Sequence, residues 1–392
     1  MNNYLSGIID KVYPEAVAVR RAIHTHPELS GEEFKTAQLV YDCLESLNLK
    51  PRFYINKTGV AARIVNGKGK TVVLRADMDA LPIEEKTGAP FASGQKGVMH
   101  ACGHDMHTAC LLAAVKVLLL EKNRWKGTIV ALFQPSEEEA PGGALRMIHE
   151  KAFPASADAV IGLHVSVDHA TGTIGLKPGR DYSGVLDFDV KIIGKGGHGA
   201  TPHKTVDPIV CSCAIIMELQ TLVSRESPAY EPSVLTIGSL HAGTKHNIIP
   251  DEVCFCGTIR TFSGEHQKLL MRRASELISM TAKSFCAKAD VSFTQSYPPG
   301  FNDMPLTERA KNVMAAYLGK NKVVIRPNPS MYSEDFAYFQ QKAPGLFVHL
   351  GVASPSDRNP AGIHTGRFLP EEHALKTGIA VHAAMALDIL KA

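Results

Sequence analysis

Three short apolar runs limit how this chain can fold: TVVLR (Thr71–Arg75), TIVALF (Thr128–Phe133) and ADAVIGL (Ala157–Leu163). A strand that is apolar at consecutive positions buries both of its faces, whereas a strand with one wet face alternates apolar and polar. The segments between these runs have helical character. Val12–His24 and Glu32–Leu47 carry apolar residues at helical spacing, and Thr108–Leu120 is apolar almost throughout, as a buried helix would be. Doubly buried strands separated by helices predict a large, mostly parallel sheet covered on both sides, a three-layer α/β/α domain.

The pattern changes near Tyr182. Val185–Ile193 (VLDFDVKII) alternates, and a helix follows over about Pro208–Ser224. Strands are expected over Ser233–Leu240 and Glu252–Thr261, then a helix over Glu265–Cys286 and a strand over Ala289–Thr294. The order β-α-β-β-α-β is the ferredoxin-like arrangement. After Gln295 the earlier style returns, with a helix over Leu306–Leu318, a strand over Leu346–Leu350 and a terminal helix over Glu371–Leu390. These readings place a large discontinuous domain over 1–183 and 295–392, interrupted by a smaller inserted domain over 184–294.

Composition narrows the partners. A net charge of +3 over 392 residues, with no basic stripe, argues against nucleic acid and anionic membranes. Met1–Ala16 carries Asp10 and Glu15 and lacks the apolar stretch of a signal peptide, and Thr108–Leu120 is too short to span a bilayer. The eight cysteines are scattered without a CxxC pair, as expected of reduced thiols in the cytoplasm.

Chemistry-bearing residues gather at one structural position. Asp77 and Asp79 follow TVVLR, Glu137, Glu138 and Glu139 follow TIVALF, and His164 ends IGLH. In an open α/β sheet, ligands bind beyond the carboxyl ends of the strands. Cys102-Gly103-His104-Asp105 precedes the buried helix and can join the same edge, with Gly103 letting Cys102 and His104 turn toward one centre. Each segment alone has an ordinary explanation: a solvated acidic turn, a trivial CxH, a hydrogen-bonded core histidine, turn formers before Pro82. Together they supply thiolate, imidazole and carboxylate, the ligand set of zinc and similar divalent ions. Of two adjacent glutamates, one can ligate metal while the other accepts a proton from water.

Several longer stretches carry a resemblance. RRAIHTHPELSGEE (Arg20–Glu33), LRADMDALPIEE (Leu74–Glu85), GVMHACGHDMHTA (Gly97–Ala109), FQPSEEEAPGGA (Phe133–Ala144), GKGGHGATPH (Gly194–His203), NIIPDE (Asn247–Glu252), GTIRTF (Gly257–Phe262), SEDFAYF (Ser333–Phe339) and GIHTGRF (Gly362–Phe368) span nearly the whole chain. The chain resembles the aminoacylase/carboxypeptidase family of dinuclear metallohydrolases, and within it the N-acyl-amino-acid amidohydrolases such as hippurate and auxin-conjugate hydrolases.

The resemblance implies metal ligands at Cys102, His104, Glu138, His164 and His364, with Cys102 bridging the two ions. It implies a general base at Glu137 and, at Asp79, a carboxylate that orients a ligand. His198, on the inserted lid domain, matches a histidine that reaches the substrate oxygen, usually across a homodimer interface, while Asn247 and Arg260 match lid positions near the substrate. The expected cofactors are two divalent ions, Zn²⁺, Mn²⁺, Co²⁺ or Ni²⁺, and the expected substrate is a small N-acyl-amino acid cleaved to an amino acid and a carboxylic acid. A dipeptidase or carboxypeptidase on the same scaffold, and an N-acetyl-diaminopimelate deacetylase, remain alternatives, as does a Cys102 nucleophile activated by His104. Some positions depart from the family pattern: Gly366 follows His364-Thr365, Glu371-Glu372 replaces Asp-Glu, and Glu139 and Pro141 follow the glutamate pair.

Overall fold

The computed structural model describes residues 2–354, 357 and 359–391. They form two compact units: residues up to Gly179 with Phe301–Asn328 and the described residues from Asp335 on, and Arg180–Gly300 with Pro329–Glu334. The second unit therefore reaches past the expected 184–294 at both ends, to Arg180 and Gly300, and takes in the separate segment Pro329–Glu334. Ser330 and Tyr332 accept the backbone N–H of Ser183, and the Met331 carbonyl accepts from Arg260, so this short segment is stitched to it by hydrogen bonds.

The first unit is built on an eight-stranded sheet in the order Arg52–Tyr54, Gly59–Asn66, Gly127–Gln134, Thr71–Asp77, Ala159–Ala170, Gly345–Ala353, Ile174–Leu176, Val323–Ile325. Its middle four strands run parallel, while the hairpin at one margin and the contact between Gly345–Ala353 and Ile174–Leu176 are antiparallel. Alternate strand residues explain why both faces are covered. Val72, Leu74, Ile129, Ala131, Ile161, Leu163, Leu346, Val348 and Leu350 enter the main core with the helices His104–Leu120 and Ala374–Ile389. On the other face Phe347 packs against Phe336 at 5.2 Å between ring centroids, and Arg75 and Gln134 bond Asp335.

The second unit has four antiparallel strands in the order Ser233–Ala242, Glu252–Thr261, Gly184–Ile193, Lys288–Tyr297. Numbered along the chain this order is 2-3-1-4, and the helices Pro208–Thr221 and Gly264–Ser284 pack on one face, so the unit is ferredoxin-like. Asp207 and Ser263 cap these helices by accepting backbone N–H groups of their first turns. By length and composition, Pro208–Glu226 is apolar enough to cross a membrane. In the fold, Cys211, Ile215, Leu219 and Leu222 enter the core of this unit, while Ile209, Val210 and Met217 are exposed. A small two-stranded sheet, Gly197–His198 with Ile248–Ile249, had no counterpart in the sequence pattern.

Candidate metal centre

Two strand ends and one helix start bring the donors together. Thr71–Asp77 runs out two residues before Asp79, and Gly127–Gln134 runs out three residues before Glu137. Cys102 precedes Gly103, whose φ of +80° starts the helix at His104. A Cβ on Gly103 would lie 2.7 Å from Val165 Cγ2, so the turn requires glycine for space as well as conformation. His364 lies in a loop held at both sides: its N–H donates to Ala101 O, and Gly366 O accepts from Lys86 N–H. One expectation needs correction. His164 does not end its strand, which continues to Ala170 because it keeps pairing with Gly345–Ala353.

The five expected ligands converge. His164 Nε2 is 3.2 Å and His364 Nε2 3.3 Å from Cys102 Sγ, and His364 Nε2 is 3.1 Å from Glu138 Oε1. Donor atoms of Cys102, His104 and His164 form one group within 4.8 Å of one another, and those of Cys102, Glu138 and His364 form a second. The thiol is the member common to both. Glu137 joins His104 and Glu138 in a third such group.

The histidine tautomers are fixed by what lies behind them. His164 Nδ1 is 2.8 Å from the Val165 carbonyl, which only accepts, so Nδ1 carries the hydrogen and Nε2 presents its lone pair toward Cys102. His104 Nδ1 is 3.1 Å from Asp79 Oδ1, and its buried Nε2 has no hydrogen-bond partner among the described residues. Asp79 Oδ2 also accepts from the Glu138 N–H at 2.9 Å and from Ser30 Oγ at 2.7 Å. One carboxylate thus orients the imidazole of His104 and the backbone of Glu138, two of the expected ligands.

The electrostatics call for a cation. Burial would depress the His104 pKa, but Asp77, Asp79 and Glu138 outweigh it and push it up to about 10. Burial and the charges of Glu138 and Glu137 raise the Cys102 thiol well above its ordinary value. In the protein alone, the negative charge is therefore met by a protonated imidazole, while the thiol stays un-ionised and adds none. A divalent ion meets the same charge while releasing both donors as ligands. The buried His104 Nε2, without a hydrogen-bond partner among the described residues, and the mixed sulfur, nitrogen and oxygen set fit two divalent ions.

Other expected residues lie elsewhere. Asp77 is engaged by Arg75 Nη1 and His107 Nδ1, both at 2.6 Å, and His107 Nε2 accepts the Val165 N–H. Asp77 and His107 therefore brace the backbone next to His164. Glu139 is exposed. His198, Asn247 and Arg260 belong to the second unit. His198 and Ile248 are register partners, and the Asn247 carbonyl accepts from Gly199 N–H, which puts His198 and Asn247 side by side. Arg260 spends one donor on the Met331 carbonyl. Sequence reading missed Ser30 and Glu33, and it read His107 as supporting structure without naming its partners. The spacing of His107 from His104, three positions along one helix, was the available signal for that role.

Fold and site together define a metal-dependent hydrolase of amide bonds. The chain belongs to peptidase family M20/M25/M40, whose model matches residues 73–388. A Bacillus subtilis (strain 168) protein named N-acetyl-L-cysteine deacetylase is 42% identical over 344 residues, 88% of this chain and 82% of its own. The Arabidopsis thaliana IAA-amino acid hydrolase ILR1-like 2 is 37% identical over 385 residues, 97% of this chain and 86% of its own. The crystal structure of Bacillus subtilis YXEP protein, described as a dinuclear metal binding peptidase from the M20 family, is similar with a TM-score of 0.84 and 31% identity over 97% and 99% of the two chains.

Proposed function

We propose that this protein is an N-acyl-amino-acid amidohydrolase whose metal ligands are Cys102, His104, Glu138, His164 and His364 and whose general base is Glu137. The observation that carries this reading is the placement of Glu137, a buried carboxylate grouped with His104 and Glu138 yet next in sequence to a ligand. The names of the deacetylase and the auxin-conjugate hydrolase support an acyl group on an amino acid as the scissile unit.

When bound, the two divalent ions lower the pKa of water and polarise the amide carbonyl. Glu137 accepts the proton of the attacking water and delivers it to the leaving amine nitrogen, one group serving as base and then as acid. His198 donates to the substrate oxygen as charge develops there, and Asn247 and Arg260 hold the substrate, Arg260 by its carboxylate. The unit carrying these three residues acts as lid and dimerisation domain. The exposed Ile209, Val210 and Met217 on its first helix support a homodimer. All eight cysteines are free, which suits a cytoplasmic enzyme.

A panel of N-acetyl and N-benzoyl amino acids, N-acetyl-diaminopimelate and dipeptides, assayed with Zn²⁺ or Mn²⁺, tests the assignment. N-acyl amino acids should be turned over fastest, and a preference for dipeptides would transfer the enzyme to the peptidases. Glu137→Gln should keep both metal equivalents and lose at least about a thousandfold in kcat, as for loss of a group central to the chemistry. Substantial residual turnover would remove Glu137 from the role of base.

A further inference from the structure

Glu137 and Glu138 pose a geometric problem. Successive side chains of an extended backbone point to opposite sides, yet both glutamates place an oxygen within 4.8 Å of the same histidine donor. The chain must turn at the end of Gly127–Gln134, and it does so at Ser136, a non-glycine residue with φ of +53°. Left-handed backbone is unfavourable for serine unless its surroundings impose it. Two bonds do so here: Gly143 N–H donates to Ser136 O at 2.9 Å, and Ser136 N–H donates to Glu33 Oε1 at 2.7 Å.

Glu33 is fully buried and comes from a distant segment, residues 28–33. That segment is itself anchored. Glu28 O accepts the Ala80 N–H, and the Glu28 carboxylate accepts from the backbone N–H groups of Lys35 and Thr36 at the start of Phe34–Ser46. The same segment supplies Ser30, whose hydroxyl bonds the Asp79 oxygen that accepts the Glu138 N–H. One loop thus grips the glutamate turn twice, at Ser136 directly and at Glu138 through Asp79.

We propose that Glu33 is a positioning residue for catalysis, holding the left-handed Ser136 so that Glu137 stands as a base beside the ligand Glu138. This rests on the reading of Glu137 given above. The carboxyl group is pushed up to about 7 by burial and by Asp79, so an uncharged amide suits its surroundings. Glutamine keeps an oxygen for the Ser136 N–H. Aspartate keeps the charge but withdraws the acceptor by about 1.5 Å, one carbon–carbon bond.

The test compares Glu33→Asp, Glu33→Gln and Glu33→Ala in the full-length metal-loaded enzyme, on whichever amide substrate the wild type cleaves. E33D and E33A should lower kcat about 10- to 100-fold, the usual loss when a supporting contact is removed. KM should stay within about twofold, with metal stoichiometry unchanged, and E33Q should stay within about threefold of wild type in kcat. Hydrogen exchange of the Ser136 amide should accelerate at least about tenfold in E33D and E33A but not in E33Q. If E33A does not fold, E33D carries the test. Wild-type kcat in E33D, loss of activity in proportion to loss of metal, or an E33Q as impaired as E33D would overturn the proposal. A wild type that cleaves dipeptides and no N-acyl amino acid would sink the substrate assignment and leave this comparison intact.

Discussion

Asp79 shows how much one buried carboxylate organises here. Its two oxygens take three hydrogen bonds, from His104 Nδ1, the Glu138 N–H and the Ser30 hydroxyl. Burial would raise its pKa, and these donors together with the His104 charge hold it below the usual range. Asparagine is nearly isosteric, but it can turn only one acceptor toward the site and presents an N–H₂ to the rest. Asp79→Asn should therefore weaken metal binding about 10- to 100-fold, read by competition with a chromophoric chelator; an unchanged affinity would show that His104 and Glu138 need no such support. Residues of this kind divide into those a sequence exposes and those it hides. Cys102, His104 and Glu138 sit in short motifs whose residue types are metal donors, so local reading singles them out as candidates. Glu33 bonds a backbone N–H 103 positions away, and an acidic residue in a polar stretch carries no local mark of that partner.

Among the elements, the helix His104–Leu120 begins four residues before the apolar run that announces it. Its first turn is buried through polar partners, and hydrophobicity does not register residues buried that way. Asp105 in that turn accepts from Arg20 Nε at 2.7 Å and lies 2.8 Å from His24 Nδ1, both on the N-terminal helix Asn2–Thr25. His24 continues to Glu85, and Arg20 and Arg21 bond Glu372 just before the helix Ala374–Ile389. Glu372, the position of the Glu371-Glu372 pair that keeps the family's glutamate, holds a carboxylate in reach of both arginines. Burial would raise the Asp105 pKa, but Arg20 and His24 hold it far below the carboxylate range. A group with a depressed folded pKa stabilises above its unfolded value of about 3.9 and loses that contribution as pH falls. Arg20→Met leaves the carboxylate buried with less compensation and should cost about 3–5 kcal/mol, as expected when one partner of a buried pair is removed. Its urea midpoint should drop, and its acid unfolding should begin at higher pH than that of wild type. Equal midpoints would mean that His24 alone neutralises Asp105. Strand ends were less legible: past His164 the doubly apolar run gives way to the alternation Val165-Ser166-Val167-Asp168, which suits a strand with one wet face, and pairing with Gly345–Ala353 carries the strand on to Ala170.

At the scale of the whole molecule, the α/β/α layering and the ferredoxin-like unit were legible because apolar periodicity is a property of long segments. The segment 329–334 was not, since six residues offer no period and their attachment to Ser183 and Arg260 is a matter of hydrogen bonds alone. The proposed metal centre also acts at this scale, because its candidate ligands span positions 102 to 364 and come from a strand, a helix and loops of one unit. Metal binding should be coupled to protons in a defined direction. Without an ion, His104 holds a proton up to a pKa of about 10 and the Cys102 thiol is held un-ionised by burial and the neighbouring glutamates. Loading both ions must expel these two protons, so about two should be released per chain near pH 7, and affinity should climb as pH rises. Calorimetric titration of chelator-stripped protein in two buffers of different ionisation enthalpy measures this directly, since the apparent heats differ by the number of protons released times the enthalpy difference. Equal heats in the two buffers would mean that Cys102 and His104 are not displaced by metal. The same electrostatics argue against a metal-free Cys102 nucleophile, because a thiol raised by burial and two glutamates is a poor source of thiolate until a cation arrives.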